Sequence, residues 1–135
     1  MTDELTIDRL AEEARAAGTE DRDAQAALWR ALFTLERWWF PTTEGDDPRP
    51  FLGVVPEGPA LLAFTTGQRA RAWALGNGFD EERAGRVIAM TPDSTVDFLE
   101  KAVPEAVRLL VVDPGVTGFF APRENLRAIQ QAVAE

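Results

Sequence analysis

Hydrophobic residues recur at helical spacing in the first part of the chain. The first stripe ends just before Gly18, a residue type that commonly terminates helices. A second helix is predicted from about Asp21 to Leu35, because apolar residues repeat there at i, i+3, i+4 and i+7. Trp29 and Phe33 lie one turn apart on its opposite side. The first stripe consists of Ile7, Leu10, Ala11, Ala14 and Ala17.

A helix that is apolar on two sides needs two partners. We expect one face of the second helix to pack on a sheet and the other on the first helix, as an αα-hairpin. Contact of Trp29 and Phe33 with a second protein chain is the alternative.

Apolar runs later in the chain predict β-strands. Two of the runs flank a segment with two prolines and a glycine, as in a hairpin. The run before Asp113 is apolar at nearly every position, which is typical of a central strand buried on both faces. The predicted strands are Arg37–Pro41, Phe51–Val55, Leu61–Thr65, Arg86–Met90, Val107–Val112 and a short strand with Phe119 and Phe120.

Capping residues mark where the other helices begin. Thr66 is suited to cap a helix that carries Trp73, and Thr91 followed by Pro92 combines a cap with proline at the first helical position. Pro122 is expected to open the last helix. The core side of that last helix would carry Leu126, Ile129 and Val133.

The predicted element order is α-α-β-β-β-α-β-α-β-β-α. It indicates an α/β (α+β) fold with a mixed β-sheet, helices packed on that sheet and an N-terminal αα-hairpin. We find no internal repeat, and no linker long enough to divide the 135 residues. The expected organisation is one compact domain, in which residues 1–20 form an N-terminal helix extension of an α/β unit at 21–135.

The formal net charge of −9 changes the list of plausible partners. It argues against nucleic acid, which needs a basic face, and against an anionic membrane surface. It is compatible with a basic protein partner, although it is also explained by solubility alone. No apolar run approaches the ~20 residues of a membrane span, and the acidic start lacks the pattern of a signal peptide. The expected location is the cytoplasm.

The residues that are missing restrict the chemistry. The chain has no Cys and no His, which excludes thiol nucleophiles, disulfides, and thiolate or imidazole metal ligands. It also has no Tyr, so the usual acid–base residues are reduced to carboxylates. We expect no enzyme activity and no cofactor, although catalysis by carboxylates and metal sites built from oxygen ligands stay open.

Several segments resemble the N-terminal domain of the SseB-like family. The segment Leu61–Thr66 followed by Trp73 is similar to its strand, its Phe-Thr-Ser segment and its Trp-bearing helix. Leu109–Gly115 resembles its hydrophobic strand and Asn-Pro-Gly turn, with Asp113 in place of Asn. The resemblance extends from about residue 24 to 129. It implies a mixed α/β fold, a bacterial source and an accessory or regulatory role, without implying a reaction.

Two acidic clusters are possible sites. The loop with Glu44, Asp46 and Asp47 could supply ligands for Mg²⁺ or Ca²⁺, but it lacks EF-hand spacing, so we expect a solvated loop and no metal. Asp80–Glu82 could act as paired carboxylates. The first turn of a short helix is the simpler role for that segment.

Two single residues, Asp113 and Ser94, are further candidates. Asp113 follows the predicted central strand, where ligands gather in open α/β sheets, and it is our candidate ligand-binding residue. An Asp beside Pro-Gly is also a good turn former, and we favour the turn. Ser94 is the only serine, and it has no nucleophile motif around it.

The aromatic residues give the strongest hint of a binding surface. If Trp38 and Phe40 point to one face of their strand, Trp39 points to the other. Tryptophan is enriched at the centres of protein interfaces. We therefore name Trp29, Trp39 and Phe120 as candidate partner-binding residues.

The sequence favours a non-catalytic accessory or regulatory protein that acts through protein–protein interaction. A toxin-neutralising immunity-type protein, and a binder of small ligands or divalent metals that uses carboxylates, are the alternatives. A homodimer is compatible with the sequence.

Overall fold

The computed structural model describes residues 4–18, 22–43 and 47–134. In chain order its elements are α1 (Glu4–Ala17), α2 (Arg22–Thr34), β1 (Trp38–Phe40), β2 (Leu52–Val55), β3 (Gly58–Ala63), α3 (Gly67–Gly76), α4 (Glu81–Ala84), β4 (Ile88–Met90), α5 (Pro92–Lys101), β5 (Leu109–Val112), β6 (Phe119–Pro122), a 3-10 helix (Arg123–Asn125) and α6 (Leu126–Ala134).

The N-terminal αα-hairpin is confirmed. Helix α1 packs along α2. Gly18, directly after α1, has a positive φ of 87°, a conformation that glycine adopts without steric cost. Ile7, Ala11 and Ala14 of α1 belong to the same buried cluster as Leu110 of β5. The first helix therefore shares its core with the sheet.

The mixed sheet is also confirmed. Its strand order is β2-β3-β5-β6, with β3 and β5 parallel and the two outer pairs antiparallel. All four residues of β5 are buried, as expected for a central strand. Strands β1 and β4 form a separate antiparallel pair. Trp39 joins this pair to the main sheet, because its backbone N–H and C=O bond to those of Phe64.

Helices cover both faces of the sheet. The face with Leu61 and Leu110 packs in one buried cluster with α1, α2, α5 and α6. The opposite face, with Leu62 and Val111, packs against α3 through Ala70 and Trp73. Side chains of alternate residues along β3 and β5 therefore enter two different cores.

The predicted caps of the middle helices are confirmed. The hydroxyl of Thr66 accepts the backbone N–H of Arg69, and that of Thr91 accepts the N–H of Ser94. Asp80 caps α4 in the same way, so the Asp80–Glu82 segment begins a short helix. Each bond satisfies a backbone donor that the first helical turn leaves unpaired.

Two sequence-based boundaries are wrong. Pro122 does not open the last helix but ends β6, and the chain then forms the 3-10 turn before α6 begins at Leu126. The hairpin is also tighter than expected, because Val55 already pairs with Gly58. Proline is allowed at the start of a helix and also in an edge strand such as β6, because an edge strand tolerates its missing N–H.

A search of the described helices for a segment long and apolar enough to cross a membrane found none.

Candidate functional site

A polar cluster lies where β3 and β5 end. Thr65 follows β3 and Asp113 follows β5, and because these strands are parallel, both residues reach the same edge of the sheet. In open α/β sheets this edge is where ligands commonly bind. The cluster is therefore the first candidate site.

The carboxylate of Asp113 is fully occupied by protein donors. Its Oδ1 accepts the backbone N–H of Thr65 at 2.9 Å, and its Oδ2 accepts the Thr65 hydroxyl at 2.8 Å and Nη1 of Arg69 at 2.7 Å. The residue is 0% exposed. No buried side-chain nitrogen or oxygen in the described part of the chain lacks a hydrogen-bond partner.

Arg69 links this cluster to the first helix. Its Nη1 and Nη2 also contact the carboxylate of Asp8 in α1, at 2.9 and 2.7 Å. The hydrogen bonds that Arg69 donates to Asp8, and those that it donates to Asp113, raise the pKa of Arg69 further above its ordinary value, against the opposing effect of burial. Arg69 therefore stays charged across the accessible pH range, and it holds α1, α3 and the end of β5 together.

The backbone of Asp113 shapes the loop that follows. Its φ of +50° lies in the left-handed region, which Asp tolerates better than most residues. Its carbonyl accepts the N–H groups of Val116, Thr117 and Gly118. Both the turn, which the sequence favoured, and the ion pair are thus structural, and the buried carboxylate of Asp113 presents no open face to a ligand, which was the alternative role for this residue.

The second candidate site is a groove beside the edge strand β6. Phe120 lies opposite Val111 in the sheet, but α3 covers Val111 and leaves Phe120 45% exposed. Val116, in the loop just before β6, is 54% exposed. We call this groove of about 370 Å³ the Phe120 groove, and it is lined by Ala14, Arg15, Gly18, Gln25, Thr117, Gly118, Phe119 and Phe120.

The groove is built where the αα-hairpin meets the sheet. Nη2 of Arg15 in α1 donates to the carbonyl of Thr117, so the loop before β6 is tied to the first helix. Beneath it, Phe119 contacts the ring of Trp29 edge to face, with ring centroids 6.4 Å apart. These contacts fix the position of Phe120 without covering it.

The other two aromatic candidates lie elsewhere. Trp29 is only 4% exposed and packs between Phe33 and Phe119, so its intramolecular role is the correct alternative and its ring is not on the surface. Trp39 is half-buried, and its ring lies so close to Gly67 that an added Cβ there would be 3.1 Å from Cε3. Of the three, only Phe120 presents an exposed ring.

The acidic clusters do not form a metal centre in the described residues. No group of three or more Asp or Glu side chains there is arranged to hold a metal ion. Asp47 is exposed and pairs with Arg49, whereas Glu44, Gly45 and Asp46 lie outside the described residues. Ser94 sits in the first turn of α5, where its Oγ accepts a hydrogen bond from the Thr91 hydroxyl.

Comparisons of this chain with protein-family models, with curated proteins and with solved structures found no match. The SseB-like resemblance therefore stays a prediction that rests on the segments quoted above.

Two exposed apolar residues were not among the candidates that the sequence provided. Val116 follows the Asp-Pro-Gly turn and is 54% exposed, and Val54, in the first strand of the hairpin, is 82% exposed. An apolar residue directly after a Pro-Gly turn was the available signal for Val116. For Val54 the sequence carried no signal, because its exposure depends on β2 lying at the edge of the sheet.

Proposed function

We propose that this chain is a non-catalytic binding protein that recognises a protein partner through the Phe120 groove. The observation that carries this proposal is the exposed ring of Phe120, which lines the groove together with residues of α1 and of the loop before β6. Large aromatic side chains at partly enclosed positions supply much of the binding energy in protein interfaces. The proposed setting is the cytoplasm of a bacterium, in the accessory role that the SseB-like resemblance implies.

The closed state of the polar cluster supports binding over catalysis. A general base needs a lone pair within reach of a substrate proton, and the Asp113 carboxylate is buried with three protein donors. The groove, in contrast, offers an apolar wall and backbone groups of a loop.

The surface next to the groove favours a partner with basic character. Along β6, Pro122 follows Phe120 on the same sheet face and lines a second cavity of about 630 Å³. The acidic residues Glu100, Glu105 and Glu124 surround that cavity, together with Arg108 and Arg123. With a net charge of −9, this arrangement would attract a partner that presents an apolar side chain flanked by Lys or Arg.

The experiment is affinity capture from a lysate of the source organism, followed by calorimetry with the purified partner. We expect Phe120→Ser to weaken binding of the captured partner by about 30-fold or more. Val54→Ser is the matched control, since it removes an exposed apolar side chain on the opposite edge of the sheet. Equal affinity of both variants for the partner would refute the Phe120 groove as the binding site.

The identity of the captured partner also separates the alternatives. A toxin neutralised by the chain would identify an immunity-type protein, which would use the same groove. Heat released with Mg²⁺ or Ca²⁺ alone would instead favour the carboxylate-based ligand binder.

A further inference from the structure

The two edge strands of the main sheet, β2 and β6, differ in how they are protected against pairing with another chain. Strand β6 carries Pro122, which cannot donate a hydrogen bond, and the loop before it is tied to Arg15. Strand β2 has the sequence Leu-Gly-Val-Val, with no charge, and the nearest prolines, Pro50 and Pro56, lie outside it and limit pairing along this edge to the residues between them. Natural proteins usually guard an exposed edge with such residues, because its free backbone groups can pair with another chain.

The outer side of β2 carries the backbone groups of Leu52 and Val54. The N–H of Asp113 donates a hydrogen bond to the carbonyl of Ala63. Along β3, the backbone N–H and C=O groups of Leu61 and Ala63 therefore point to β5, whereas those of Ala60 and Leu62 point to β2. Gly53, the partner of Ala60, therefore bonds to β3. The backbone groups of Leu52 and Val54 alternate with those of Gly53 and therefore point away from β3. None of the described strands pairs with them on that outer side.

The strand is complementary to a second copy of itself. If two β2 strands pair antiparallel with the symmetry axis at Gly53, Leu52 of each lies opposite Val54 of the other. Each such pair exchanges two backbone hydrogen bonds. The side chains of Leu52 and Val54 then meet on one face of the joined sheet, and those of Phe51 and Val55 meet on the other. The side chain of Val54, 82% exposed in the single chain, would thereby be covered.

Charge selects this register among the alternatives. With the axis at Gly53, Arg49 of one copy lies opposite Glu57 at the hairpin tip of the other, and both residues are exposed. An axis at Leu52 would place Glu57 opposite Asp47, and the two negative charges would repel each other. An axis at Val54 would place Glu57 opposite Phe51, which carries no charge. Only the Gly53 register pairs opposite charges at both ends.

We infer that the protein forms a symmetric homodimer through antiparallel pairing of β2 with β2 of a second copy, centred on Gly53 and bordered by two Arg49–Glu57 ion pairs. The two sheets then join into one continuous sheet with β6 at both ends. This leaves the Phe120 groove of each copy free, since it lies at the far edge.

The test measures self-association of the full chain by analytical ultracentrifugation at about 0.15 M salt. A small interface of this kind predicts a weak dimer, with a dissociation constant in the micromolar range. Val54→Lys places a charge on the pairing edge and should leave only monomer. Val116→Lys is the matched control, because it adds the same charge to an exposed valine away from β2, and it should dimerise like the unchanged protein.

A charge-reversal cycle tests the register. Glu57→Arg and Arg49→Glu should each weaken the dimer by about tenfold, and the double variant R49E/E57R should recover most of the loss. A monomer at concentrations up to about 1 mM, or a dimer that survives Val54→Lys, would overturn the proposal. Additive losses in the double variant would overturn the Gly53 register. Circular dichroism of every variant confirms that the fold is retained.

Discussion

Nη1 of Arg69 lies 2.7 Å from Oδ2 of Asp113, which joins the first turn of α3 to the residue that follows β5. The Asp113 side chain has no solvent exposure and that of Arg69 only 16%. A carboxylate in such surroundings is tolerated because its charge and its hydrogen-bonding capacity are satisfied by protein groups.

Removing the cation should therefore destabilise the protein strongly. Arg69→Met leaves the buried carboxylate of Asp113 without its charge partner, and we expect the free energy of unfolding to fall by about 3 kcal/mol. Urea denaturation measures this change. The control is Arg71→Met, which removes an exposed arginine from the same helix and should cost less than about 0.5 kcal/mol. Similar losses in the two variants would contradict the structural role of Arg69.

Truncation of Trp29 should destabilise the fold, whereas truncation of Phe120 should leave its stability nearly unchanged. Trp29→Ala opens a cavity between Phe33 and Phe119, and the expected loss of stability is about 3 kcal/mol or more. Phe120→Ala removes a ring that is half in solvent, and the change in stability should stay within about 0.5 kcal/mol. Thermal unfolding of both variants tests this. A large loss of stability in Phe120→Ala would mean that the ring is part of the core.

Substitution by alanine should have opposite effects on the stability of the fold at Gly53 and at Gly76. An added Cβ at Gly53 would lie 2.7 Å from Cδ1 of Leu62, so Gly53→Ala should destabilise the fold by about 1 to 3 kcal/mol. Gly76, the last residue of α3, has no atom within 4 Å of an added Cβ and no positive φ. Gly76→Ala should be neutral or stabilise by up to about 1 kcal/mol, and urea denaturation again separates the two cases. A neutral Gly53→Ala would show that Leu62 can move aside without cost.

The contact between α5 and α6 should respond to acid. Nη2 of Arg127 lies 2.7 Å from Glu100 and 2.5 Å from Asp97, and the hydrogen bond from Arg127 holds the pKa of Glu100 below its ordinary value of 4.5. This carboxylate therefore contributes stability above pH 4.5, and the contribution is lost as the pH falls through the lowered pKa. A titration followed by NMR should show the low pKa of Glu100. Arg127→Gln should raise that pKa towards 4.5, and an unchanged value would show that the ion pair does not persist in solution.

Local signals in the sequence predicted most of the fold. The caps at Thr66, Thr91 and Asp80 were readable because a cap depends on residues within one helical turn. The central position of β5 was readable because its residues are continuously apolar. Pro122 was misjudged because proline fits both the start of a helix and an edge strand.

The site was harder to predict, because it depends on contacts that are distant in the sequence. Asp8 and Arg69 are 61 residues apart, and neither lies in a motif that marks it as a partner of the other. The exposure of Phe120, likewise, follows from how far α3 extends over the sheet. Its neighbour Phe119 is half-buried, although both have the same residue type and lie in the same strand.

The parallel pairing of β3 with β5 has a consequence for how the chain assembles. The β2–β3 and β5–β6 hairpins each close a short loop, whereas Ala63 reaches Val112 only after α3, α4, β4 and α5 have been passed. Long loops cost more chain entropy to close, so we expect the two hairpins to form early and their union to limit the folding rate. Refolding of Val111→Ala should then be slowed, whereas Val54→Ala should change that rate little. On the ribosome the sheet cannot be completed until β5 and β6 have emerged.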